Sequence, residues 1–163
     1  MFTPSLLLTP LLLSSVLATA TAAPTATTPP HVDLIDYPGT QANLEAFHDL
    51  HRRLAAGFDD VCADTFCEGA YSDYEAFQLR CSVAVSTGTV SDCRWAFAAS
   101  ELDVDRATGV IQAHQPTWLC RLPIPPGTSV ATFFAALEGP KAIFRRLPGA
   151  DMSIFEALGD CLR

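Results

Sequence analysis

Six cysteines, Cys62, Cys67, Cys81, Cys93, Cys120 and Cys161, constrain this chain more than any other feature. They all lie downstream of an uncharged leader, and an even number in an exported chain argues for three disulfides. Fifteen connectivities are open to six cysteines, so the pairing has to come from where the surrounding segments place them. No C-x-x-C occurs, which argues against a thioredoxin-type redox pair, and the ligand spacing of a zinc site is missing as well.

Residues 1–22, MFTPSLLLTPLLLSSVLATATA, read as a signal peptide: an apolar run from Leu6 to Leu17, then small residues for a signal peptidase after Ala20 or Ala22. Pro10 interrupts the run, which falls short of the roughly 20 residues needed to span a bilayer. Residues 23–36 form a disordered Thr/Pro-rich lead-in that passes into an edge strand from His31 to Tyr37. Residues 37–163 then make one domain, without an internal repeat or a second linker.

Hydrophobic periodicity supplies the elements. Gln41 to Phe58 carries Leu44, Phe47, Leu50, Leu54 and Phe58 at helical spacing, with Thr40 as N-cap. Tyr74 to Ser86 alternates, placing Phe77, Leu79, Cys81, Val83 and Val85 on one face. A turn about Thr87 and Gly88 leads to a second alternating run through Cys93, Trp95, Phe97 and Ala99. A further turn at Asp105 to Gly109 leads to a third strand ending Trp118 to Leu122. Two short helices close the chain, Val130 to Leu137 capped by Thr128 or Ser129, and one through Ile154, Phe155, Leu158 and Cys161 capped by Asp151 or Ser153.

The predicted fold is therefore α+β: an N-terminal helix packed on a three- to four-stranded antiparallel meander, followed by two short helices and stapled by disulfides. In this arrangement Cys81 and Cys93 face each other across the hairpin, with Cys120 in the same row. Cys62 with Cys67 closes a small loop, and Cys120 with Cys161 ties the last helix to the sheet.

Three stretches, Phe66-Cys67-Glu68-Gly69-Ala70-Tyr71-Ser72, Cys93-Arg94-Trp95-Ala96-Phe97 and Ser153 to Leu162, make most of the mature chain resemble small exported six-cysteine bacterial proteins of unknown function. That resemblance implies no activity. A helix wrapped by an antiparallel sheet is also similar to the cystatin-like architecture, a likeness of fold alone. The hairpin Ser86-Thr87-Gly88-Thr89-Val90 lacks the Gln-x-Val-x-Gly loop with which cystatins block proteases, so inhibition of that kind does not carry over.

The net charge is −8, which disfavours nucleic acid and anionic membrane surfaces and favours a basic protein partner. Much of the acid is concentrated between Asp59 and Glu75, a stretch without a basic residue. Asp59, Asp60, Asp64, Phe66, Glu68, Tyr71, Asp73 and Tyr74 form the candidate binding face, the carboxylates steering a basic partner and the aromatic rings anchoring it. The acids do not follow an EF-hand pattern. His48 and His51 sit one helical turn apart, but without a third ligand at motif-grade spacing; no metal or cofactor is expected. Nucleophile and phosphate-loop motifs are missing as well.

The leading expectation is an exported acidic binding protein, of the inhibitor or immunity type, for a basic envelope or secreted partner. The alternatives are a cell-envelope hydrolase using His48, His51 or His114 as base, and a structural or assembly domain without catalysis. Oligomeric state is not readable from the sequence.

Overall fold

The computed structural model describes residues 30–62, 71 and 73–162. The leader, the Cys62 to Cys67 loop, and Asp64, Phe66 and Glu68 lie outside the described residues. Within them the chain is α+β, an antiparallel sheet accompanied by helices. β1 (His31–Asp33) pairs with β2 (Asp73–Ala84), and β2 pairs with the long β3 (Thr89–Val104). Along its other edge β3 carries β4 (Ile111–His114) on its second half and β5 (Thr117–Arg121) on its first. The helices are α1 (Gln41–Cys62), α2 (Val130–Ala136) and α3 (Ile154–Cys161).

Alternation along β3 buries Cys93, Trp95, Phe97 and Ala99 on one face. The helical stripe Phe47, Leu50, Leu54 and Phe58 is buried with them in one core, together with Phe133, Leu137, Ile154 and Leu158 from α2 and α3. Phe58 is the keystone of the α1 contact, its ring 4.9 Å from Phe97 and 6.2 Å from Trp95. Burying a side chain of this size stabilises by about 1.5–3 kcal/mol. At the start of α1, the Thr40 hydroxyl accepts the Asn43 N–H, and the buried Asn43 amide donates to the Leu34 carbonyl at 2.8 Å. That second bond ties the helix to the segment after β1.

Cys81 and Cys93 are directly opposite in the β2/β3 register and form a disulfide, with 4.1 Å between their Cα atoms. Cys120 on β5 is bonded to Cys161 on α3, fixing that helix to the sheet. Cys120 lies across from Trp95 rather than Cys93, displaced by two residues on the shared inner face.

One expectation is corrected. Phe77 does not join Leu79, Cys81 and Val83 on the core face; it is 56% exposed. The β2/β3 register slips between Ala76 and Leu79, a β-bulge that changes the alternation from even to odd positions. Tyr74 and Ala76 therefore face inward before the bulge and Leu79 after it. Val85 also leaves the strand, falling in the turn that precedes β3. In that turn Gly88 has φ +64°, and a Cβ there would meet the Tyr37 hydroxyl at 2.8 Å.

α3 opens with a capping box. The Ser153 hydroxyl accepts the Glu156 N–H, and the Glu156 carboxylate accepts the Ser153 N–H. Arg146 closes on the same carboxylate at 2.9 Å. The backbone N–H of Ser153, its hydroxyl and Arg146 together hold the Glu156 carboxyl below its ordinary pKa.

Candidate functional site

At the end of the sheet where α1 finishes, three aromatic side chains gather that are neither core nor fully exposed. Tyr74 enters on β2 and Trp118 on β5, both on the inner face because their register partners are Ala99 and Phe97 of β3. Their rings stack at 5.4 Å with 23° between planes. Tyr71 stands edge-on to both, 6.0 Å from Tyr74 and 5.9 Å from Trp118. Partial burial, and then the neighbouring Tyr71, push the Tyr74 hydroxyl above its ordinary pKa, so it stays a neutral donor at physiological pH.

On α1, Phe58 packs on Phe97, the cross-strand partner of Trp118, and Asp59 and Asp60 follow Phe58 in the chain. Both are exposed, in the last turn of a helix that carries no basic residue there. A helix C-terminus bears partial negative charge, and two acids at that end cost about 0.3–1 kcal/mol each. Folding alone gives no reason for that placement.

The other predicted residues divide. Asp73 is exposed and, like Glu75, projects to the opposite face from Tyr74, since neighbours along a strand alternate. Trp118 is the member that sequence reasoning did not assign to the site. Its position two residues before Cys120 places it on the inner face, but its stacking on Tyr74 depends on the β2/β3/β5 register and on the bulge.

The two α1 histidines open elsewhere. His48 and His51 line a groove of about 500 Å³ with Ile35, Phe47, Phe77 and Arg80, at the bulge. The His51 Nε2 lies 3.0 Å from the Phe77 carbonyl, and its ring stands edge-on to Trp95. The described lining of that groove carries no carboxylate, hydroxyl or thiol side chain. His114 sits apart from them on β4, opposite Glu101. Among the described residues, no group of three His, Cys, Asp or Glu is placed to hold a metal ion. Nor is any described helix long and apolar enough to cross a membrane.

The outer face of the sheet carries a charge network centred on Asp92, which accepts from Arg94 and Arg121 at 3.0 Å each. Partial burial works to raise the Asp92 carboxyl, but Arg94 and then Arg121 outweigh it and hold the group below its ordinary pKa. Beside Arg121, the Pro-rich segment 123–126 and Met152 border a recess of about 470 Å³.

The fold is a disulfide-bonded α+β domain with three half-buried aromatic rings gathered at one end of its sheet. Compared with protein-family models, curated proteins and solved structures, the chain matches none.

Proposed function

We propose that this chain is an exported acidic protein that binds a cationic polypeptide at its aromatic end. The observation that carries the reading is the half-open trio of Tyr71, Tyr74 and Trp118, in a chain whose first helix ends on the exposed acids Asp59 and Asp60. Tyr and Trp faces attract Lys and Arg through the ring quadrupole, by about 0.5–1 kcal/mol at an exposed site and more once water is excluded. The carboxylates and the net charge of −8 add long-range attraction, which speeds encounter and weakens with salt. A partner of the envelope-enzyme or toxin kind, basic and exported, fits this chemistry. The six cysteines and the uncharged leader support export.

The double variant Asp59→Asn/Asp60→Asn tests the reading, because it moves stability and binding in opposite directions. Relief of the helix-end charge raises unfolding free energy by about 0.6–2 kcal/mol. Affinity for a Lys-rich peptide falls at low salt and loses part of its salt dependence. A variant with unaltered affinity and salt slope would refute the role of these carboxylates.

A further inference from the structure

Beyond residue 100, β3 pairs with β4 alone among the described residues. The register sorts its side chains by face. Leu102 is opposite Ala113, and Val104 opposite Ile111, which makes one face wholly apolar; Leu102, Val104 and Ile111 are 65%, 60% and 67% exposed. Glu101 opposite His114 and Asp103 opposite Gln112 make the other face polar and acidic. That second face continues the inner side of the sheet, on which Tyr74 and Trp118 lie.

The outer edge of β4 is open, since among the described residues β4 pairs only with β3. Ladder bonds join Asp105 to Val110 and Ala99 to Pro116. Hydrogen-bonded pairs alternate in an antiparallel ladder, so Asp103/Gln112 and Glu101/His114 are bonded pairs too. The amide and carbonyl groups of Ile111 and Ala113 consequently point away from β3, along the open edge. Natural sheet edges are usually blunted by charge or proline. This one carries neither on Ile111 to Ala113.

We propose that the β4 edge captures its partner as an added β-strand whose residues alternate apolar and cationic. The inference rests on the cationic-polypeptide reading and specifies the conformation in which that partner is held. Partner residues opposite Ile111 and Ala113 fall on the apolar face and extend the Leu102, Val104 and Ile111 surface. Residues between them fall on the acidic face, where a Lys side chain reaches past Gln112 and His114 toward Glu101 and Asp103, two strands or about 10 Å away. A second copy of this chain pairing through β4 would bring acidic face beside acidic face, so charge selects a basic strand over self-association.

The probe is a ten-residue, end-blocked synthetic peptide alternating Val and Lys, titrated calorimetrically into the protein. Strand addition uses the amides of the residues opposite Ile111 and Ala113, which are the Val amides. N-methylation of the Val amides is expected to weaken binding at least tenfold, whereas N-methylation of the Lys amides leaves it within twofold. Ala113→Pro removes an edge N–H that β3 does not use and is expected to weaken binding at least tenfold, with the unfolding midpoint measured alongside. Equal binding of both methylated peptides would overturn strand addition while leaving the aromatic site intact. No binding by any Lys-rich peptide would overturn both. Equal binding of a Val and Glu peptide, or dimers that Ala113→Pro abolishes, would overturn the charge argument.

Discussion

The two disulfides among the described residues enclose loops of very different size, and that difference predicts an order of stabilities. Cys81 and Cys93 are separated by 12 residues, Cys120 and Cys161 by 41. In the chain-entropy account, a cross-link stabilises by restricting the unfolded ensemble in proportion to the logarithm of the loop. This gives about 3 kcal/mol for the short loop and about 4 kcal/mol for the long one, a difference of about 1 kcal/mol. Each double Cys→Ala variant deletes two sulfur atoms, so the packing losses largely cancel in the difference. Urea unfolding without reductant measures both. With a slope of about 1–3 kcal/mol per molar urea, the Cys120→Ala/Cys161→Ala midpoint falls by more than about 1 M. Its unfolding slope also rises more than that of Cys81→Ala/Cys93→Ala, because a larger loop is released. Equal losses, or a larger loss for the 12-residue loop, would refute the entropic reasoning and point to native-state packing as the source of the stabilisation.

The bulge in β2 makes neighbouring apolar residues behave differently. Phe77→Ser is expected to change stability by no more than about 0.5 kcal/mol, and Leu79→Ala to cost about 2–5 kcal/mol, read by thermal or urea unfolding. At α3, the Glu156 carboxyl is lowered by its bonds to Ser153 and Arg146, so its stabilisation is full above its unfolded pKa, about 4.3, and is lost as pH falls through the lower folded value. The stability difference between the protein and Glu156→Gln should therefore shrink below about pH 4, and a difference that grows with acidity would contradict the capping box.

Strand alternation was legible where one face is buried and the other is not. The runs through Cys81 and Cys93 show it, and with the turn between them they put the two cysteines opposite each other. The bulge was not legible, because Ala76-Phe77-Gln78-Leu79 keeps alternating in sequence while the backbone inserts an extra residue. The third strand read from the turn at Asp105 to Gly109 divides into β4 and β5, a break that was not legible because Ile111 to His114 is exposed on both faces and burial imposes no pattern on it. The candidate site was half legible. Tyr71, Tyr74, Asp59 and Asp60 stand out by composition, but Trp118 joins the two tyrosines only through register, and Asp73 is carried away by the same alternation that brings Tyr74 in.

Of the two tryptophans, Trp95 is fully buried and Trp118 is half-open in the aromatic trio. The most direct measurement is therefore the pair of indole N–H resonances in a ¹⁵N-labelled sample during titration with a Lys-rich peptide. The Trp118 resonance is expected to move saturably, with a response that salt weakens and Tyr74→Ala abolishes, while Trp95 stays in place. A Trp118 resonance that does not move while the peptide binds, or a response confined to Trp95, would contradict the assignment of this end of the molecule as the binding site.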